Sequence, residues 1–389
     1  MILRARWVVD RNLRVHENGS VNTGVGGCSI NFGRSILMPG LVNAHCHLDY
    51  TNMRGLIPPQ KSFTAWINRI TQRKRTWTND DFTRSITQGL EDSLHAGTTT
   101  MVNWICSPPW IETVVPLPMR VWWLWEQIMF QPTPVLKQWD KWPSQISGKS
   151  ALWHAGIAPH APYTCGMEVI QKAVRWSAQR HLPWSIHVAE SKDEFDMYRH
   201  ASGPMFKRFQ DLGRNMHDCG YGTPLVVLKC EILNSKSPVL LVHANYLESS
   251  DFSILKSAMD QSQTQISIVH CPRSHKFFGH RRFPLKRLVS MGLNVCLGTD
   301  SLASNNDLSM FHEMSHLAKT HPEIDLRQIV CMATICGARA LGVEGDWFHW
   351  QDWIAIPTNA SSEEKVWQVI TRFTGKPDFV MVDGQPCNG

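Results

Sequence analysis

Eight short runs rich in Val, Ile, Leu and Trp punctuate the chain, and most end in polar residues: ILMPGLVNAHCH, GTTTMVNWI, MRVWWLWEQI, ALWHAGIAPHAPY, PWSIHVAES, PVLLVHANYL, QISIVHCPRS and NVCLGTDSLAS. Between them lie stretches whose apolar positions recur at spacings of three and four, among them DDFTRSITQGLEDSLHAG, MEVIQKAVRWSAQRHL, DFSILKSAMDQS and NDLSMFHEMSHLAKTH. The runs have the pattern of strands buried on both faces, the intervening stretches that of amphipathic helices. Their alternation predicts a parallel sheet covered by helices. Eight such units across roughly 300 residues suit a TIM-like (β/α)8 barrel. A doubly wound open sheet is the alternative, because periodicity does not show closure, but no G-x-G-x-x-G follows the first run.

The ends differ. RARWVVD, GCSINFG and the late stretch KPDFVMVDG have strand character, with Gly and Asn between them and no long helix in either pattern. We therefore expect a small β-sandwich domain built from both termini, residues 1–37 and 344–389, around a barrel of residues 38–343. Residues 191–236 hold two helix-like pieces and are too long for a plain connection, so they are expected as an insertion near the barrel mouth.

Composition narrows the class further. The 389 residues are 43% hydrophobic and 19% charged, which is globular, and a net charge of +6 with scattered Lys and Arg gives no reason to expect nucleic acid as a partner. The opening MILRARWVVD is too short in its apolar stretch for a signal peptide, and no window reaches the roughly 18 apolar residues of a membrane span. Eleven widely spaced cysteines without a C-x-x-C pair read as reduced thiols in a cytoplasmic protein. The expected partner is a small-molecule substrate; a homodimer is left open.

The polar ends of the runs carry the chemistry. His45 and His47 stand two apart on a strand and so face one side. His160 follows the fourth run, His187 and Glu190 the fifth, His243 the sixth, His270 the seventh and Asp300 the eighth. In a β/α barrel these positions converge at the carboxyl ends of the strands. Three imidazoles and a carboxylate, His45, His47, His187 and Asp300, form a ligand set suited to zinc or ferrous iron. Cys46 points the other way and is expected to pack.

Taken in order, LMPGLVNAHCHLDYTNMRG, IAPHAPYT, HVAES, VHANYL, HCPRS and LGTDSLASN resemble the amidohydrolase superfamily, in its cytosine, guanine and adenosine-derivative deaminase branch. The resemblance runs from about residue 37 to 340 and takes in the terminal β pieces. It implies a distorted barrel with a small β-sandwich and a metal that activates water. By position it makes His45, His47, His187 and Asp300 the metal ligands, Glu190 a proton shuttle, and His243 the group that orients the attacked atom. Asp300 would also accept or align the water's proton, and His160 would contact substrate. Two-metal members carry a bridging carboxylate, commonly a carboxylated lysine after the fourth strand. HAGIAPHAPY has no lysine, so one divalent ion is implied, zinc ahead of iron.

For the substrate, HLDYTNMRG followed by F-x-x-W-I and a basic stretch is similar to the branch that includes aminodeoxyfutalosine deaminases, which act on a menaquinone precursor. Trp66 offers a flat face for a purine and Arg75 a cation for a carboxylate. A plainer reading makes Trp66 a core anchor and residues 73–75 a solvated helix end. The glutamate that grips ribose in methylthioadenosine and adenosylhomocysteine deaminases is missing about nine residues after Trp66, where Gln72 and Arg75 lie nearby. Those substrates, guanine and triazines stand behind aminodeoxyfutalosine. Two rivals come from other classes. His312, Glu313 and His316 spell H-E-x-x-H, the zinc-peptidase pattern, but His321 is misplaced for a third ligand. A barrel that binds a ligand without turnover is the other.

Overall fold

The computed structural model describes residues 1–261 and 265–387. Nine parallel strand segments form one sheet. Eight are the predicted strands: Leu41–His47, Thr98–Ile105, Arg120–Gln127, Trp153–Pro159, Trp184–Val188, Val239–His243, Ile266–His270 and Asn294–Leu297. The ninth, Asp300–Ser301, continues the eighth after a break and pairs with Cys46 and His47 of the first, which closes the ring. Strand interiors are buried, apart from the half-buried His154 in the fourth, as runs apolar on both faces require.

The predicted helices form at Asn79–His95, Met167–Arg180, Ser249–Gln261 and Met310–Thr320. Local chemistry sets their ends. Thr78 and Asp81 make a reciprocal capping box at the first, and His181 terminates the second in the left-handed conformation. Among the described residues no helix is long and apolar enough to cross a membrane.

Both chain ends meet in a second sheet of seven strands, in which Ser35–Pro39 pairs antiparallel with Trp353–Pro357. Ser35–Pro39 runs two residues past the expected boundary and passes through Gly40 directly into the first barrel strand. A Cβ on Gly40 would lie 2.2 Å from the Thr99 hydroxyl, so only glycine lets the two sheets approach this closely. The expectation of no long helix at either end is corrected by Glu363–Arg372. Ser362 caps it, Glu363 and Glu364 face its positive end, and Val366, Trp367 and Ile370 bury its apolar side. The insertion holds the helices Lys192–His200 and Gly203–Asp211 plus two short turns, Pro224–Val227 and Lys229–Leu233.

Arg120, at the start of the third barrel strand, ties the two sheets together. Its guanidinium donates to Asp352 at 2.9 and 3.3 Å and to Asp383 at 2.6 Å, and the Asp352 side chain is 1% exposed. Replacing Arg120 with Ala strands a buried carboxylate, so the variant should lose about 3–5 kcal/mol of stability. A urea titration of the variant, followed by tryptophan fluorescence, should show its midpoint well below that of the parent.

Candidate active site

At the carboxyl end of the barrel the predicted ligands come together. Nε2 of His187 lies 3.2 Å from Nε2 of His45 and 3.5 Å from Nε2 of His47, and Nε2 of His45 lies 3.6 Å from Oδ1 of Asp300. Two ligands held about 2.0–2.1 Å from one tetrahedral ion stand roughly 3.3 Å apart, so this spacing is that of donors sharing a cation. Burial, reinforced by His45, holds His47 down to about 3, and burial with the neighbouring rings holds His187 well below the ordinary histidine range. Burial thus favours their neutral forms, and neutral rings whose Nε2 atoms face each other this closely present lone pairs that a metal between them would engage. The Nδ1 atoms of His45, His47 and His187 have no hydrogen-bond partner. Packing against the fully buried Trp104, whose ring centroid is 4.2 to 5.4 Å from theirs, orients them instead.

Asp300 is fixed from several directions. Its Oδ2 accepts from Ser274 at 2.6 Å and Ser304 at 3.3 Å, and its Oδ1 from the Ser301 amide at 2.7 Å. Burial alone would raise its pKa, but the His45 ring and His243 outweigh that and hold the carboxyl well below the usual range. The backbone takes φ of 59° at Asp300, 76° at His243 and 51° at Ala189, left-handed values that cost non-glycine residues energy. Strand ends five, six and eight are thus bent at the residues that face or flank the site. Gly298 makes the bend after strand eight feasible, since a Cβ there would sit 2.7 Å from the His45 carbonyl oxygen.

Glu190 and His243 stand beside the ligands. His243 Nε2 is 3.4 Å from Glu190 Oε1, and both join Asp300 in a group whose ligand-type atoms lie within 4.8 Å. Burial, with Asp300 and Glu194 nearby, pushes the Glu190 carboxyl well above its ordinary value; burial pulls His243 down to about 3. Glu194, unremarked in the sequence, accepts from the Ala189 and Glu190 amides at 3.0 and 2.7 Å and so fixes the turn that presents Glu190.

The cluster opens into a cavity of about 580 Å³. Trp66 and His160 line it, as does Arg75 at its edge. Trp66 stacks near Phe63 and meets Phe278 edge-on, and only 9% of it is exposed, so it is both a core anchor and part of the wall. His160 bonds Thr164 through Nδ1 at 2.8 Å. Gln72 is exposed and not part of the lining. Three charged lining residues are not among the candidates drawn from the sequence: Lys74, Glu126 and Arg208. Glu126 ends the third run, MRVWWLWEQI, whose polar end was legible; Arg208, in the insertion, had no signal.

The H-E-x-x-H helix is elsewhere. His312 Nδ1 contacts Asp307 at 3.0 Å, and Glu313 is buried, accepting from the Arg273 amide and Asn305. His316 and His270 line a separate cavity, where His270 stacks on Phe283 at 3.8 Å. Cys46 packs with its thiol toward the Val102 carbonyl.

Residues 135–346 match the model of the Amidohydrolase family. The chain is 29% identical over 327 residues to a 5-methylthioadenosine/S-adenosylhomocysteine deaminase of Pyrococcus furiosus, covering 79% of this chain and 71% of that protein. A protein of the same description from Pelotomaculum thermopropionicum is 29% identical over 347 residues, covering 85% and 74%. In structure the chain is similar to Helicobacter pylori aminofutalosine deaminase in complex with methylthio-coformycin, with a TM-score of 0.84, 18% identity and 99% of both chains covered. It is also similar to an adenosine deaminase from Xanthomonas campestris with bound zinc, with a TM-score of 0.77, 21% identity and 99% and 92% covered. At these identities the structural likeness is one of fold.

Elemental analysis of the purified protein should find about one divalent metal per chain. His187→Ala should lose it, whereas His312→Ala and His316→Ala should keep it; loss of metal in either of the latter would move the site to the H-E-x-x-H helix.

Proposed function

The chain belongs to the amidohydrolase family, hydrolases acting on carbon–nitrogen bonds, and from that membership we propose that it hydrolytically deaminates an aminopurine nucleoside derivative, with aminodeoxyfutalosine as the first candidate. The observation that carries the reading is the juxtaposition of Glu190 and His243 with the clustered side chains of His45, His47, His187 and Asp300 beside an aromatic cavity. His45, His47, His187 and Asp300 would hold the ion, zinc ahead of iron on the nitrogen-rich donor set. Such an ion lowers the pKa of water to roughly 7, which makes hydroxide available at neutral pH.

The protein's own groups then handle the protons. Asp300 accepts one from the attacking water, whose oxygen bonds to the ring carbon bearing the amine. Glu190, held protonated by burial, gives its proton to the adjacent ring nitrogen. His243 sits where it can stabilise oxygen as charge builds on it. Asp300 returns its proton to the amine, the carbon–nitrogen bond breaks and ammonia departs with the bonding pair, while the hydroxyl proton passes back to Glu190 and the ring keeps the water oxygen as a carbonyl. One water is consumed and one ammonia released.

Two features favour a substrate with an anionic tail. Arg75 and Arg208 both line the cavity, and among the described residues neither is ion-paired with a carboxylate. Burial and the nearby charge of Arg75 lower the Arg208 pKa, as expected for two cations waiting on an anion. The benzoate of aminodeoxyfutalosine and the amino-acid end of adenosylhomocysteine supply one; methylthioadenosine does not.

Glu190→Gln should lower kcat by about 100-fold to 10,000-fold with metal content unchanged, because the amide keeps the shape and moves no proton. Retention of a tenth of the activity would hand the shuttle to another group. On one metal-loaded preparation, kcat/KM for ammonia release should rank aminodeoxyfutalosine above adenosylhomocysteine, and both above methylthioadenosine and guanine. A tenfold lead for methylthioadenosine or guanine would overturn the substrate choice and leave the deaminase reading standing.

A further inference from the structure

The mechanism above leaves a buried polar group in the cavity wall unused. Glu126, at the carboxyl end of the third barrel strand, is 6% exposed. Its Oε2 accepts from the Cys106 thiol, whose Sγ lies 3.8 Å from the Lys74 ammonium. Lys74 also donates to the Tyr50 hydroxyl. Thus Lys74 and Glu126 stand on either side of Cys106, one a cation and the other an anion. Burial opposes both charges, but His160, His47 and Lys74 keep the Glu126 carboxyl below its ordinary range, and Cys106, Glu126 and Asp49 keep the Lys74 ammonium above its own.

Neither group is filled by the protein. Glu126 Oε1 lies 3.8 Å from His160 Nε2, beyond hydrogen-bond length, and no other donor reaches it among the described residues. Lys74 has three donors, one of them engaged by Tyr50 and another only in the long contact to Cys106. Both side chains line the cavity. An unfilled acceptor and an unfilled donor in one stretch of wall select their complement. A free carboxylate meets Glu126 and a free ammonium meets Lys74, each with repulsion. A hydroxyl donates and accepts at once, and two adjacent hydroxyls reach both groups.

We infer that Glu126 and Lys74 form a subsite that reads the vicinal diol of a sugar, Glu126 accepting from one hydroxyl and Lys74 donating to its neighbour. The inference deepens the deaminase reading and rests on it for the nature of the ring. Its position allows this: His160, whose ring lies 4.8 Å from that of His187, has its Nε2 3.8 Å from Glu126, so the subsite and the histidine cluster border one cavity. The subsite selects nucleosides over free bases and ribonucleosides over their deoxy counterparts.

The test is equilibrium binding, by calorimetry, of inosine and 2′,3′-dideoxyinosine to the metal-loaded protein, since neither has an amine to lose. We expect inosine to bind the parent at least tenfold more tightly. In Glu126→Gln and in Lys74→Met that ratio should fall to threefold or less, and either variant suffices if the other does not fold. A ratio near one in the parent, a ratio unchanged in both variants, or equal weakening of both nucleosides would overturn the subsite. Failure of the deaminase reading would show separately, as absence of ammonia release from the amine-bearing panel.

Discussion

The site depends on how the barrel closes. Strand eight cannot run straight into register with strand one; it stops at Leu297, turns through Gly298 and Thr299, and resumes at Asp300 beside Cys46. Asn43 holds the seam, with its amide donating to Thr299 Oγ1 at 2.8 Å and its carbonyl accepting from the Thr299 amide at 3.1 Å. The same two-residue pairing that completes the ring brings the Asp300 carboxylate next to two histidines that are neighbours on the opposite edge. Closure and assembly of the histidine–aspartate cluster are therefore one structural event, and a substitution that loosens the seam loosens both.

Much of this was legible because barrel strands write their chemistry at their ends. His45, His47, His187, Glu190, His243 and Asp300 each follow an apolar run, and period and order alone put them at one face. Residues that act by holding others were not legible. Glu194 is an ordinary first-turn helix acid by sequence, and its job of fixing the 189–190 backbone exists only once that backbone turns back on it. Ser274 and Ser304 reach Asp300 from loops whose course no local pattern gives. Glu126 and Lys74 fell between readings, the first on a run without histidine and the second inside a basic stretch that resembles a solvated helix end. The C-terminal helix was an oversight of a different kind, since the cap and apolar spacing of SSEEKVWQVITR were in plain view.

The electrostatics of the cavity are divided by depth. At the floor, neutral imidazoles and an anionic Asp300 await a cation. Midway, Lys74 and Glu126 offset each other across Cys106. At the rim, Arg75 and Arg208 leave an excess of positive charge. Charges of both signs thus face one cavity, and in a low-dielectric wall each acts on a ligand far more strongly than it would in water.

The seven-stranded sheet has a consequence for how the protein comes into being. Its central pairing joins Ser35–Pro39 to Trp353–Pro357, segments separated by the whole of the barrel sequence. A ribosome adding about 5–20 residues per second leaves the first strand waiting on the order of tens of seconds for its neighbour. During that interval Ile36, Leu37 and Met38, fully buried in the finished molecule, lack their native cover. Contacts so distant in sequence also slow folding itself. The nascent chain thus carries an unpaired apolar strand until Trp353–Pro357 emerges, and the pairing order of the fold itself sets that demand for shielding.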